Sequence, residues 1–189
     1  MNIETEPLRD KRQIQGLFTY LKGKSERNYI MAKIQLNTAL RISDVVKLKV
    51  SDFIHPNGKF RHYIVLKEKK TGKERHIAIN NSLRLILSPY IKELSLGYND
   101  YLLPSQKNKE GHISTTQAHR IFQDAGKALH FDKFNSHSLR KSWGYFAYKK
   151  TKNIALIMQV YGHTSVTQTL KYIGITQKDK DLLYNTIEF

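Results

Sequence analysis

The stretch HSLRKSWGYFAYKKTKNIALIMQVYGHTSVTQTLKY, residues 137–172, decides how the rest of the chain is interpreted. His137 and Arg140 stand three positions apart, which places both on one face of a helix, where they can reach one anionic group. Other residues of the segment recur at helical spacing and predict a face that packs on a core: Leu139, Trp143, Phe146 and Ala147. The pair is thus expected on a rigid element, although two residues alone are a weak functional signal.

The second half of this stretch predicts a short helix that ends at a tyrosine. His163 follows an apolar run and a glycine, and Thr164 or Ser165 can N-cap the next helix. Tyr172 then falls in the last turn of that helix. Gly174 follows it, and glycine ends helices readily because it adopts the left-handed conformation without steric cost.

The net charge of the chain indicates a polyanionic partner. Among 189 residues, 32 are Lys or Arg and 16 are Asp or Glu, so the formal net charge is +16. Such an excess favours nucleic acid, because neutralising phosphates releases condensed counterions. Simple solubility, or adhesion to an anionic membrane, is the alternative. Nucleic acid ranks first, because the basic residues recur through the whole chain and interleave with aromatic residues.

The composition also excludes several classes of site and location. The absence of cysteine rules out disulfides, thiolate metal sites and a cysteine nucleophile. No apolar run approaches membrane-spanning length, and the N-terminus lacks the apolar core of a signal peptide. We therefore expect a cytoplasmic, nucleoid-associated protein without a membrane partner.

Upstream of this stretch, an arginine stands between predicted helices. Asp10 is a suitable N-cap for a helix that runs to about Leu21, and Ser25 for a second helix. Arg41 follows the second helix and precedes Ser43, a suitable N-cap for a third. Arg41 could be an ordinary surface residue of a basic chain, but its apolar neighbours argue that it points into a site.

Residues 59–79 alternate between apolar and polar side chains and predict a β-hairpin. Its turn carries four lysines: Lys67, Lys69, Lys70 and Lys73. Later segments predict helices that start at Asn81 or Ser82 and at Ser114 or Thr115. Pro89 predicts a kink or a restart in the first of these. The fold class expected is α+β, mainly α-helical, with a small antiparallel sheet.

Taken together, these motifs resemble the catalytic domain of the tyrosine recombinase (phage integrase) family. The family has His-x-x-Arg, then Gly-His, then a nucleophilic tyrosine. The matching residues here are His137, Arg140, His163 and Tyr172, the tyrosine standing nine residues after His163. The sequence TALR at 38–41 is similar to the family's arginine box, with alanine in place of the common glycine, and Asp44 matches the acidic position that follows.

The resemblance implies that DNA is cleaved without a metal ion or a cofactor. A tyrosine hydroxyl attacks phosphorus, the deoxyribose 5′-oxygen leaves, and a 3′-phosphotyrosyl intermediate forms. Arg41 and Arg140 would clamp the scissile phosphate. His137 would exchange a proton with the hydroxyl of Tyr172, and His163 would hydrogen-bond a non-bridging oxygen.

The family also has a lysine at a hairpin turn that protonates the leaving 5′-oxygen. Lys70 is the preferred match because it precedes Thr-Gly, and Lys67 is the next choice. Lys67, Lys69 and Lys73 would otherwise contact the DNA backbone. Asp44 would orient and charge-balance Arg41 or a histidine from behind the site.

The resemblance sets the expected domains and partners. Residues 1–175 would form the catalytic domain, and residues 176–189 a tail that packs on a neighbouring protomer or on its own domain. Family members usually carry a core-binding domain ahead of the catalytic one, which would here be removed or naturally absent. The expected partner is double-stranded DNA, bound by a homotetramer on paired sites. Without DNA the protein is expected to be a monomer or a weak oligomer.

Two other functions use the same features. A type IB topoisomerase-like enzyme would nick and rejoin DNA with the same residues, and a DNA-binding module would regulate recombination without cutting. A zinc site formed by His137 and His163 is disfavoured, because neither histidine has HExxH-type spacing and no cysteine is present.

Overall fold

Helices make up most of the chain, and one short β-hairpin interrupts them. The computed structural model describes residues 5–67, 72, 74–108 and 110–187. The elements in chain order are α1 (Lys11–Lys24), α2 (Glu26–Thr38), α3 (Ile42–Val45), β1 (Tyr63–Lys67), β2 (Glu74–Ala78), α4 (Asn81–Glu93), α5 (Thr115–Ala128), α6 (Ser138–Thr151), α7 (Ile154–Tyr161), α8 (Val166–Tyr172) and α9 (Gln177–Thr186). The predicted α+β class is confirmed.

The first two helices form as their caps and apolar stripes predict. The Asp10 side chain accepts a hydrogen bond from the backbone N–H of Arg12, and the inner face of α1 is buried. Ser25 is the N-cap residue of α2, although its side chain makes no capping hydrogen bond. That helix ends at Ala39, which takes the left-handed conformation with φ 55°. The chain therefore turns sharply just before Arg41.

The hairpin is present, with strands shorter than the alternating segment. Tyr63 pairs with Ala78 and Lys67 with Glu74 in antiparallel register. Ile64 points into the core, whereas Tyr63 is exposed, as expected for a sheet with one solvated face. Most of the turn, including Lys69, Lys70 and Lys73, lies outside the described residues.

One local prediction was wrong, and another was wrong in part. Arg41, not Ser43, is the N-cap residue of α3, because the left-handed turn at Ala39 completes the reversal and the next helix starts at Ile42. Of the kink or restart expected at Pro89, the restart does not occur, because α4 is continuous from Asn81 to Glu93, and the kink stays a prediction. Proline clashes with the carbonyl four residues earlier, here that of Leu85, and this residue lies on the solvent side, where a small bend is tolerated.

The C-terminal third places the deciding stretch on three successive helices. His137 is the N-cap residue of α6, one position outside the helix in which it was expected. The Ser165 side chain caps α8, which ends at Tyr172 as predicted. Gly174 follows with φ 77°. None of the described helices has the length and apolar character needed to span a bilayer.

The buried residues form two clusters. The larger one fills the space between α1, α2, α4, α5 and the inner face of the hairpin. The smaller one gathers around four residues: Ala39, Ile157, Tyr161 and Ile173. Because it joins α6, α7 and α8 to the end of α2, the smaller cluster positions the predicted site residues.

Candidate active site

Arg140 is buried at the centre of the site. Its side chain is 1% exposed, which is unusual for a charged residue. Nη1 donates a hydrogen bond to the carbonyl oxygen of Ala39. Among the described residues, its Nη2 has no hydrogen-bond partner. A fixed guanidinium with an unused N–H is suited to bind an anionic oxygen.

Burial lowers the pKa of the Arg140 guanidinium. Tyr172 and Tyr161 lie close enough to oppose that effect, whereas the charge of Arg41 reinforces it. Even so, a guanidinium starts from such a high pKa that it stays protonated in proteins. The site therefore holds a permanent positive charge.

Arg41 lies on the open side of the site. It follows the left-handed turn at Ala39, and its side chain is exposed. The buried amide of Gln35 fixes this corner, because Nε2 donates to Leu40 O at 3.4 Å and to Ser136 O at 2.7 Å. The same amide thus ties the Arg41 corner to the segment that leads into His137.

Tyr172 is half-buried at the end of α8, beside two other rings. Its ring centroid lies 5.1 Å from that of His163 and 5.2 Å from that of Tyr161, both edge-to-face. Lys141 Nζ lies 5.3 Å from the Tyr172 centroid. Lys141 also donates to the carbonyl oxygen of Thr5 at 2.5 Å, which ties the N-terminal segment to the site.

The hydrogen bonds of His163 indicate its tautomer. Thr169 Oγ1 donates its only hydrogen to Ser165 O at 2.9 Å, so it accepts from His163 Nδ1, 3.0 Å away. Nε2 of the neutral ring is then an acceptor and becomes a donor only on protonation. Burial, followed by the charges of Arg140 and Arg41, lowers the pKa of His163.

His137 lies at the start of α6 with its outer edge exposed. Its backbone N–H donates to Asn135 Oδ1 at 2.8 Å. Packing against its neighbours lowers the pKa of the ring, and His119 and Arg140 act in the same direction. The lowered pKa favours the neutral ring, which is able to accept a proton.

The hairpin closes one side of a cleft of about 520 Å³. Charged residues from the Arg41 corner and the hairpin line it: Arg41, Asp44, Lys47, Asp52, Lys67 and Arg75. Arg75 Nη2 donates to Val160 O at 2.7 Å and so ties β2 to the end of α7. Asp44 and Arg41 line this cleft together, and among the described residues no ion pair joins them.

The structure brings Arg41, His137, Arg140, His163 and Tyr172 to one region, where α6, α7 and α8 meet the end of α2. Lys67 lines the adjoining cleft, and Lys69, Lys70 and Lys73 fall outside the described residues. In the described part of the chain, no three His, Cys, Asp or Glu residues form a cluster able to hold a metal ion.

Sequence reasoning missed two residues of this region. His119 Nδ1 lies 2.6 Å from Ser136 Oγ, and its ring centroid is 6.0 Å from that of His137. Tyr161 contacts Arg140, His163 and Tyr172. Neither stood in a recognisable motif, and Tyr161 ends an apolar run, a pattern that does not distinguish a core residue from one that supports a site.

Comparisons with known proteins agree on one family. Residues 9–179 match the model of the phage integrase family. The chain is 35% identical over 172 residues to the probable integrase/recombinase YoeC of Bacillus subtilis, covering 91% of each. It is 22% identical over 168 residues to the tyrosine recombinase XerA of Pyrococcus furiosus, covering 89% of this chain and 57% of XerA.

Solved structures show the same fold. A crystal structure of XerA recombinase superposes with a TM-score of 0.75 at 22% identity, covering 98% of this chain and 68% of that chain. A post-cleavage complex of XerH recombinase with its difH substrate gives a TM-score of 0.74 at 20% identity, with 94% and 51% covered. The chain thus spans most of YoeC but about half the length of the other curated relatives it matches.

Proposed function

This chain belongs to the phage integrase family, and we propose that it is a site-specific tyrosine recombinase, which cuts and rejoins double-stranded DNA through a 3′-phosphotyrosyl intermediate. One observation carries the proposal. The buried Arg140, with an unpaired Nη2, lies in the same cluster of side chains as Tyr172 and His163. A fixed cation beside a half-buried phenol is what attack on a phosphodiester requires.

The proposed reaction transfers the phosphate from the DNA to the protein. Tyr172 Oη forms a bond to phosphorus, the bond from phosphorus to the 5′-oxygen breaks, and the 5′-oxygen takes a proton. Lys70 supplies that proton, with Lys67 as the second choice, and His137 accepts the phenol proton. Arg140 and Arg41 neutralise the charge that accumulates on the non-bridging oxygens. Rejoining is the reverse of these steps.

His163 has a more specific role than the family motif alone implies. Because its Nδ1 is committed to Thr169, Nε2 can donate to a non-bridging oxygen only as an imidazolium. Without DNA, burial and the nearby arginines lower its pKa. A bound phosphate would act in the opposite direction. We propose that DNA binding protonates His163, which then hydrogen-bonds the phosphate.

The last helix bears on assembly. We propose that residues 1–175 are the catalytic domain and that residues 176–189 dock on a neighbouring protomer of a DNA-bound tetramer. Lys149 holds α9 through a 2.9 Å ion pair with Asp179. Three large side chains near the end of α9 are exposed: Leu182, Tyr184 and Ile187. Such exposed side chains can pack against a second copy of the chain. We propose that this assembly forms on DNA at the nucleoid, in the cytoplasm.

The decisive experiment is covalent capture on a nicked suicide substrate, whose cleaved fragment diffuses away and cannot rejoin. The substrate comes from the junction sequences of the host element. Wild-type protein should give a covalent band on a denaturing gel, and Tyr172→Phe should give none while still binding DNA. Tyr184→Phe is the matched control and should form the adduct. An adduct that survives in Tyr172→Phe would refute the nucleophile, and bound DNA without any wild-type adduct would refute cleavage.

The relatives are named recombinases and integrases, so they give no support to a topoisomerase or to a non-cleaving module. The same assay separates these functions. A recombinase joins the cleaved strand to a second site, whereas a topoisomerase only reseals its own nick.

A further inference from the structure

Tyr161 contacts the buried cation, the nucleophile and the second histidine of the site. We propose that Tyr161 is a positioning residue for strand cleavage, which holds the guanidinium of Arg140 and the ring of Tyr172 in place by packing against both. The inference rests on the recombinase function proposed above. It assigns no chemical step to Tyr161 itself.

Tyr161 holds Arg140 through two different contacts. The guanidinium carbon lies 4.5 Å from the centroid of the Tyr161 ring, so the cation sits over the aromatic face. The Tyr161 hydroxyl donates to the backbone carbonyl oxygen of Arg140 at 2.6 Å. One contact orients the side chain, and the other fixes the turn of α6 from which it projects.

The Tyr161 ring also packs against the rings of Tyr172 and His163. Its centroid lies 5.2 Å from that of Tyr172, edge-to-face, and 5.3 Å from that of His163. The ring therefore packs against both the cation and the nucleophile, which also lie close to each other. A displacement of Tyr161 would move both partners.

Burial makes Tyr161 suitable for this role and unsuitable as a nucleophile. The residue is 2% exposed, and burial raises the pKa of its phenol well above the usual range. It therefore stays neutral and keeps its hydrogen bond to Arg140 O. Tyr172 is half-buried at the same place, which leaves one accessible phenol beside the arginine.

Space for the ring depends on a glycine in α6. A Cβ atom on Gly144 would overlap the Tyr161 hydroxyl and lie 2.9 Å from Tyr161 Cε2. Trp143 also packs on the ring, 5.9 Å between centroids and edge-to-face. The ring is thus confined on several sides, as a positioning residue requires.

The test compares Tyr161→Leu and Tyr161→Phe in single-turnover cleavage of the suicide substrate. Leucine removes the aromatic face, and we expect cleavage to slow about thirtyfold with DNA affinity unchanged. Phenylalanine keeps the face and should slow cleavage only about threefold. Tyr148→Leu is the control, because Tyr148 packs against the same apolar cluster but faces Lys152. It should cleave at close to the wild-type rate.

A double-mutant cycle separates positioning from general loss of stability. If Tyr161 acts through Arg140, Tyr161→Leu should cost no more than about threefold in an Arg140→Lys background, because the stacked guanidinium is already gone. An equal loss in both backgrounds would overturn the inference, as would a Tyr161→Leu enzyme that cleaves like the Tyr148→Leu control.

The failure of the proposed function would look different. In that case wild-type protein forms no adduct at all. The Tyr161–Arg140 contact is then tested without DNA, by urea unfolding of wild type, Tyr161→Leu, Arg140→Lys and the double variant. A change of at least about threefold in the unfolding constant beyond additivity would support the Tyr161–Arg140 contact. Additive effects would overturn it.

Discussion

Gly144→Ala should destabilise the protein, although alanine is the better helix former. Gly144 is buried in α6, and an added Cβ atom would overlap the Tyr161 hydroxyl and lie 2.6 Å from Ile173 Cγ2. Separations under 3.0 Å force a neighbour to move. Overpacking of this kind costs roughly 1–3 kcal/mol, against about 1 kcal/mol gained by removing glycine from a helix.

The expected net loss is about 0–2 kcal/mol, which lowers Tm by up to roughly 8 °C in a chain of this size. Thermal unfolding followed by circular dichroism measures it. Gly16→Ala is the matched control, because Gly16 is also inside a helix but has no atom within 4 Å of the added Cβ. That variant should gain about 0.5–1 kcal/mol. If Gly144→Ala raises Tm as Gly16→Ala does, the packing inferred around Tyr161 is wrong.

Further predictions concern the leaving group, pH and the end of α8. Lys70→Ala should abolish adduct formation on ordinary DNA but not on a substrate with sulfur at the 5′-bridging position, because a thiolate leaves without a proton; failure of this rescue would exclude Lys70 as the acid. Since the pKa values of His137 and His163 are lowered below 6.5, the unfolded chain binds more protons, so stability should be full above about pH 6.5 and fall as pH drops through the folded-state values. Urea titrations at several pH values measure this, and a flat profile would contradict it. Gly174→Ala should lower Tm more than Gly58→Ala, because both have positive φ but only at Gly174 would the added Cβ collide with the N-terminal segment.

The sequence predicted those elements in which a capping side chain and an apolar stripe coincide. Asp10, Ser114 and Ser165 all accept the backbone hydrogen bonds expected of N-caps. The predicted end of α8 at Tyr172 was confirmed, because Ser165 caps the start of that helix and Gly174 follows its end. Local signals of this kind need no knowledge of the tertiary structure.

A prediction failed where tertiary contacts, rather than the local sequence, set the backbone conformation. The start of α3 depends on the left-handed conformation of Ala39, which alanine adopts only because the surrounding packing imposes it. Its carbonyl oxygen is held by Arg140, a residue far away in sequence. No capping rule applied to Ser43 could include that contact, so the predicted helix start was misplaced.

Motif spacing identified the candidate site residues, but it did not identify the residues that pack around them and hold them in place. Arg140 and Tyr172 were named because of their places in the family pattern. The importance of Tyr161 arises only when α6, α7 and α8 meet, because its ring touches one residue from each of several elements. A buried tyrosine in an apolar run has the same sequence signal whether it supports a site or fills a core.

The burial of Arg140 has a physical reason in this chemistry. Removing a guanidinium from water is costly, and a carboxylate partner would offset that cost but occupy the donors that a phosphate needs. Here the offset comes from neutral groups, the carbonyl oxygen of Ala39 and the ring of Tyr161, and Nη2 stays unpaired among the described residues. A phosphate oxygen that reached Nη2 would satisfy a buried donor in surroundings of low dielectric constant, where each charge interaction is stronger than in water. The free energy spent on burying the cation is therefore partly recovered when DNA binds, and most fully when negative charge accumulates on the phosphate during cleavage.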